Sequence, residues 1–435
     1  MLVLGRASLH LRPGAAPLTR SSVLLRRRTA LATGLFAAGV AATAAAQGPS
    51  RPSPRGWGDE LPAPTPAVAG VAHSAGALLP APRLEWPAPP LEPPPHPVHA
   101  IYVNAWAFGS RRLYDLIQLV EGTEVNSFVI DVKDDTGYLT YRSDVPTAVS
   151  IGANTQLRAP DTRARLRALQ ARGIHPIARI VVAKDPLLAQ QRTAWAIHDV
   201  RGGAWLDRQG RPWVDAYTDS VWEYAAALGV EAVRMGFDEL QFDYVRFPDE
   251  PRARLATAVF PGRRGSENSE QGVTRSLHLL RERVKPLGVP FTIDVFGLTT
   301  SAEDDMGIGQ KWESLVTSAD VVLPMVYPSH YGRGSYGYDQ PNAEPYAIIR
   351  RAMEDARRRS RAVHASTEIR PYIQAFTLGP PRYTPELVRE QVRAAEDLGI
   401  MGWVMWNPRS DYDPAYFRSV PAPAESPPAP PVSSQ

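Results

Sequence analysis

Three aspartates interrupt otherwise apolar stretches of this chain: Asp131 in SFVIDVKD, Asp243 in ELQFDYVRF and Asp294 in FTIDVFG. A carboxylate among apolar neighbours is costly to bury unless it is paired or hydrogen-bonded. Two such groups can divide acid and base work. One, protonated, gives its proton to a leaving oxygen, while the other, ionised, attacks or activates water; this is the requirement for cleaving a glycosidic bond. Side chains alternate along a strand, so Phe128, Ile130 and Val132 face opposite to Val129, Asp131 and Lys133. Phe242 and Tyr244 likewise oppose Gln241 and Asp243, and Phe291, Ile293 and Val295 oppose Thr292 and Asp294. If the apolar sets pack on helices, the aspartates point to a shared interior. Asn104, Arg179 and Gln374 have the matching phase in their own stretches, and Tyr327, Trp406 and Asn407 stand at stretch ends. Arg246, in DYVRFP, could orient a carboxylate, bind substrate or form a structural salt bridge. The bland alternative for Asp131 and Asp294 is that they cap Arg179, Lys133 or backbone groups.

These residues need elements to position them. Eight short apolar segments run from about Ile101 to Asn407: IYVNAWA, SFVIDVKD, HPIARIVV, ELQFDYVRF, FTIDVFG, DVVLPMVYP, RPYIQAF and GIMGWVMWN. Helix-like stretches separate them, at 110–121, 162–172, 217–235, 274–285, 309–318, 343–359 and 385–398. Several end in a glycine followed by a β-branched residue (Gly173-Ile174, Gly288-Val289, Gly399-Ile400), the expected helix-to-strand junction. Strands alternating with helices mean parallel βαβ units, and eight of them close a (β/α)₈ TIM barrel, an α/β fold whose chemistry sits at the C-terminal strand ends. The loops at 183–213 and 248–272 are long enough to build a cleft there.

The ends of the chain have a different character. Residues 1–46 contain six arginines, no Lys, Asp or Glu, and an Ala/Leu-rich run ending near Ala44 and Ala46. That pattern is a signal peptide for export to the periplasm or the extracellular space, of Sec or twin-arginine type. Residues 47–97 carry 15 prolines and read as a semi-rigid linker; residues 98–419 form the barrel, and 420–435 a disordered tail. The net charge of +3 becomes about −3 once the six arginines are removed, so the basic character belongs to the leader and nucleic-acid binding loses its support. The absence of cysteine excludes disulfides, thiolate metal sites and a cysteine nucleophile. No cofactor is implied, contact with the cell envelope would be transient, and no pattern specifies an oligomeric state.

The stretch from about His99 to Asp413 resembles an uncharacterised bacterial family of glycoside-hydrolase-type domains related to α-amylase-like barrels. The resemblance is carried by FVIDVKDDTG at 128–137, LQFDYVRFP at 240–248, TIDVFG at 292–297, VLPMVYPSHY at 322–331 and MGWVMWN at 401–407. It implies a carbohydrate substrate and a nucleophile at the end of strand 4, which Asp243 matches. The acid/base of such barrels follows strand 5 as Glu; the nearest match here is Asp294. Adjacent strands lie about 4.8 Å apart, which favours the close carboxyl separation of a retaining enzyme over the wide inverting one. The expectation is therefore an exported, retaining glycosidase acting on an α-linked poly- or oligosaccharide. The rivals are a carbohydrate-binding barrel without hydrolysis and a barrel hydrolase with a metal held by Asp131, Asp134 and Asp243. The GxGxxG match at Gly332–Gly337 follows a late strand and lacks the directly adjoining helix that a dinucleotide site needs. His96 and His99 lack further ligands for a metal.

Overall fold

The structure is a computed structural model that describes residues 94–420. The expected signal segment and most of the proline-rich linker and tail lie outside the described residues. Eight parallel strands form the barrel: β1 (His99–Val103), β2 (Ser127–Lys133), β3 (His175–Val181), β4 (Glu239–Asp243), β5 (Phe291–Phe296), β6 (Val321–Met325), β7 (Tyr372–Gln374) and β8 (Trp403–Trp406). Each pairs with its neighbour, β8 pairs with β1, and the circle closes through Met325 and Tyr372 between β6 and β7. The expected fold class is thus the one found.

The outer helices are α1 (Arg112–Val120), α2 (Thr162–Gln170), α3 (Asp219–Met235), α4 (Ser269–Val284), α5 (Trp312–Val316), α6 (Pro345–Ala362) and α7 (Pro385–Glu396). Helix α4 starts at a capping box between Asn268 and Gln271, and Arg281 and Arg283 stand in its last turn, where the helix dipole favours cations. Helix α5 is shorter than the 309–318 stretch expected, because residues 309–311 form the approach to it. Gly229 lets α3 lie close over β4: a Cβ there would stand 3.1 Å from Leu240 Cδ1 and 3.3 Å from Phe242 Cζ. The strand that ends in Asp243 is therefore pinned from outside.

Two apolar layers follow from strand alternation. Phe128, Ile130, Ile180, Phe242, Ile293 and Val295 pack outward against the helices. Ala100, Tyr102, Val129, Ile177, Leu323, Tyr372 and Val404 fill the barrel axis. The long loops after β3 and β4 meet each other, with His198–Asp199 and Ala258–Val259 pairing as a short antiparallel ribbon.

Candidate active site

Strand alternation predicts that Asp131, Arg179, Asp243 and Asp294 meet inside the barrel, and they do. Arg179 is the centre. Its Nη1 donates to Asp131 Oδ1 at 2.6 Å, its Nη2 donates to Asp243 Oδ2, and its Nε donates to the same Asp243 oxygen at 3.1 Å. Asp294 Oδ2 lies 3.8 Å from that Nε. The Asp243 and Asp294 oxygens that share Nε are therefore within about 7 Å of each other, a bound that admits the retaining separation. All four residues are buried; Asp243 is 4% and Asp294 1% exposed.

The surrounding strands complete the cluster. Tyr102 donates to Asp131 Oδ2 at 2.5 Å. Its ring stacks on Trp406 with centroids 3.8 Å apart, and both rings face the Arg179 guanidinium, at 5.5 and 5.2 Å. Gln241 donates to Asp294 Oδ2 at 3.0 Å and also to the Tyr372 hydroxyl. Of the buried polar atoms that have no partner among the described residues, three lie in this cluster: Asp294 Oδ1, Gln241 Oε1 and the Tyr327 hydroxyl. Orphaned buried groups are expensive, and three around one carboxyl group mark a place prepared for something polar.

Electrostatics separates the acids. Burial pushes Asp294 well above the usual carboxylate range, and repulsion from Asp243 adds to it against the pull of Arg179. This is the direction expected of a proton donor. Burial also raises Asp131, to about 6, although Arg179 and Tyr102 oppose it. Burial disfavours the charge on Arg179, but Asp243 and Asp131 outweigh it, so the cation is held firmly. Immediately after Asp243, Tyr244 takes a left-handed conformation with φ of 53°, and its N–H donates to Asp243 Oδ1 at 2.5 Å. Strain of this kind is tolerated where the surroundings over-determine it. Gly297 serves the same rim: a Cβ there would sit 2.5 Å from the Met325 carbonyl oxygen, so only glycine lets the exit of β5 press against β6.

The other expected site residues divide. Tyr327 and Trp406 border the cluster, Tyr327 in edge contact with Tyr372 at 6.4 Å. Arg246 lies beside the strand 4 and 5 ends among Trp213, Tyr244 and Phe296. Lys133 is not in the interior. Ladder register shifts between Asp131 and Lys133, so that Lys133 pairs with Ile180 rather than continuing the alternation. The bulge turns its amine outward to Asp185 at 2.6 Å and over the Tyr224 ring at 4.8 Å. Asn104, Gln374 and Asn407 stand near the rim, but their amides are spent on the backbone. Asn104 caps residues 105–108 and donates to the Pro408 carbonyl. Gln374 accepts from Ser329 N–H and donates to the Phe376 carbonyl. Asn407 donates to the Ala375 and Asp411 carbonyls. Asp134 accepts from the Thr136 N–H, and the expected set of Asp131, Asp134 and Asp243 does not form a metal site: among the described residues no group of three or more His, Asp or Glu side chains is arranged to hold a metal ion. Tyr102 and Gln241, which donate to the acids, and Tyr372, which accepts from Gln241, are not among the expected site residues, although each has the interior phase.

Comparison with known proteins sets this geometry in context. No curated protein sequence matches the chain. A hypothetical protein from Ruminiclostridium thermocellum ATCC 27405 is 34% identical over 42% of this chain and 92% of its own, with a TM-score of 0.39. The PgaB (BpsB) glycoside hydrolase domain from Bordetella bronchiseptica is similar in fold, with a TM-score of 0.51, 15% identity and coverage of 72% of this chain and 94% of that one. The α-galactosidase TtGalA from Thermus thermophilus aligns at a TM-score of 0.42 and 18% identity, over 74% of this chain and 60% of that one. Residues 100–412 match the family described as "Putative glycosyl hydrolase domain", and with most of the barrel inside that match the chain belongs to this glycosyl hydrolase family.

Proposed function

We propose that the barrel is a retaining glycosidase in which Asp243 is the nucleophile and Asp294 the acid/base, acting on an α-linked poly- or oligosaccharide outside the cytoplasm. The observation that carries the assignment is the division of labour around Arg179. Asp243 accepts two hydrogen bonds from the guanidinium, which fix the direction of its oxygens. Asp294 is pushed toward its protonated form by burial and by Asp243, and its Oδ1 has no protein partner. In the first step Asp294 gives its proton to the glycosidic oxygen, the bond from that oxygen to the anomeric carbon breaks, and an Asp243 oxygen bonds to that carbon from the opposite face. In the second step the Asp294 carboxylate takes a proton from water, which displaces Asp243 and regenerates both groups. Arg179 is placed to hold Asp243 and to spread the charge released when it leaves. The half-buried Trp406, stacked on Tyr102, offers a flat apolar face to a sugar ring. The α linkage and the position of the nucleophile are supported by the resemblance to α-amylase-like barrels, and export by the arginine-rich leader.

The test is hydrolysis of a glycan and aryl-glycoside panel by the purified domain, with the first-formed anomer followed by proton NMR. Retention of an α anomer, lost in Asp243→Asn, supports the proposal; a β product, or full activity in that variant, would sink it. The burial of Asp243 and Asp294 favours a second reading, a carbohydrate-binding barrel without turnover. Binding of a sugar without any hydrolysis would select it.

A further inference from the structure

Arg246 is a cation in an unusual position. It is 7% exposed, yet no carboxylate lies within ion-pair distance of it among the described residues. A buried arginine is nearly always paired. Its one hydrogen bond runs from Nη1 to the Phe247 carbonyl at 2.9 Å, which leaves Nε and Nη2 without a hydrogen-bond partner. Three aromatic faces hold it instead: Phe296 at 4.4 Å, Tyr244 at 4.8 Å and Trp213 at 5.3 Å. Two of these rings fix its place relative to the acids. Tyr244 follows Asp243 directly, and Phe296 lies two residues beyond Asp294, one step up the same face of β5. Burial lowers the pKa of the guanidinium, with partial compensation from Tyr244, Asp249 and Asp243.

Two further cations stand on the neighbouring rim, both engaged by one carboxylate. Lys184 Nζ stands 2.7 Å and Arg211 Nη1 3.4 Å from the same Asp135 oxygen, so two cations share one carboxylate. Lys184 lies 5.0 Å from the Tyr244 ring whose face also takes Arg246. Nearby Glu250 is already taken by Arg208 and Arg254. A guanidinium fork with Nε and Nη2 unspent and held rigid by aromatic walls is suited to a planar carboxylate.

We infer that the sugar bound at the Asp243–Asp294 pair is an acidic one, a hexuronic acid whose carboxylate is held by the Nε and Nη2 edge of Arg246; this rests on the glycosidase reading of that pair. The carboxylate of a hexuronic acid is borne on the carbon adjoining the ring oxygen, as the anomeric carbon also adjoins it. A ring seated with its anomeric carbon at Asp243 thus keeps its carboxylate near the DYVRF turn.

The test uses matched pairs: the 4-nitrophenyl α- and β-glycosides of glucose and galactose against those of glucuronic and galacturonic acid. The wild-type domain is expected to favour one uronide over its neutral partner by about 10- to 100-fold in kcat/KM, the range of a charge-assisted hydrogen bond, with the preference shrinking as salt rises. Arg246→Met should collapse that ratio, and Arg246→Lys, which keeps the charge but not the fork, should restore part of it. A neutral glycoside preferred by wild type, or a ratio unchanged in Arg246→Met, overturns the inference and leaves the hydrolase assignment standing. If nothing is hydrolysed, calorimetry with the same compounds decides. Uronide-selective binding lost in Arg246→Met upholds the acidic ligand and removes the hydrolase, whereas absence of such selectivity overturns the inference. A preference for 6-sulfated over uronic glycosides also overturns it, by assigning the fork to a sulfate ester. Should Arg246→Met fail to fold, the wild-type ratio and Arg246→Lys decide alone.

Discussion

The two ends of the barrel each bury a cluster of charges, and they are built to opposite rules. At the N-terminal end Glu239, the first residue of β4, meets Arg370 at 2.7 Å, and Arg370 also meets Glu368 at 3.1 Å. His175 completes the group, 3.7 Å from Glu239 and 3.9 Å from Asp238. Burial works to raise Glu239, but Arg370 and His175 outweigh it, and the carboxyl ends below its ordinary range. At the C-terminal end three aspartates compete for one arginine, and Asp294 ends well above its range because burial, and then repulsion from Asp243, outweigh the pull of a cation that Asp243 and Asp131 hold more closely. In the lower cluster Arg370 overrides the cost of burial and holds strands together; in the upper one burial and a neighbouring carboxylate override the shared cation, which is how a carboxyl group comes to keep a proton near neutral pH. The same strand, β4, carries a member of each, Glu239 and Asp243.

The comparison breaks most directly at Asp243. Asp243→Asn should cut kcat by about 10³-fold or more, with a smaller loss in thermal unfolding than a lone buried pair would show, because the swap is isosteric and Arg179 keeps Asp131; retained turnover would place the nucleophile elsewhere. Arg370→Met should do the reverse. It strands Glu239 without its cation and should cost about 3–5 kcal/mol in denaturant unfolding, with activity per folded molecule preserved. Equal loss of activity would show that the lower cluster is not merely structural.

Asp294→Ala sharpens the upper half. It should reduce turnover by about 100-fold on substrates with poor leaving groups and less on activated aryl glycosides, and azide, displacing Asp243 as water does, should restore turnover as an α-glycosyl azide. Equal impairment on both classes without rescue moves the acid role to another residue, such as Glu303 or Asp304.

The smallest effect is the pH dependence of stability. Asp131 is raised in the folded state to about 6 from 3.8, so its contribution is full below 3.8 and is lost as pH rises through about 6, on the order of 3 kcal/mol. Glu239 is lowered, so its contribution is present above 4.5 and is lost as pH falls. Asp131→Asn should therefore flatten the decline between pH 4 and 6, and Glu239→Gln the decline at more acid pH. Slopes of the same sign at both positions would contradict the contrast.

The barrel was legible because parallel strands and amphipathic helices have different periods, and the inward set could be read off by alternation. Asp131, Arg179, Asp243 and Asp294 came together on that rule alone. The same rule held for Tyr102, Gln241 and Tyr372, but tyrosine and glutamine with interior phase look like ordinary filling until a carboxylate is seen to accept from them. Asn104, Gln374 and Asn407 had the right phase or position, yet their amides face backbone groups of loops whose path no strand pattern specifies. Lys133 was placed wrongly because a bulge has no signature in hydrophobic alternation.

That bulge has a consequence for anyone altering this strand. Within three residues β2 issues two unrelated instructions: up to Asp131 it addresses the barrel axis, and from Lys133 it addresses the loop that holds Asp185. The two halves can be edited separately, since a change at Lys133 would loosen the loop's anchorage without re-aiming Asp131. Any scheme that numbers the strand as one unbroken ladder will file its last residues on the wrong side of the wall.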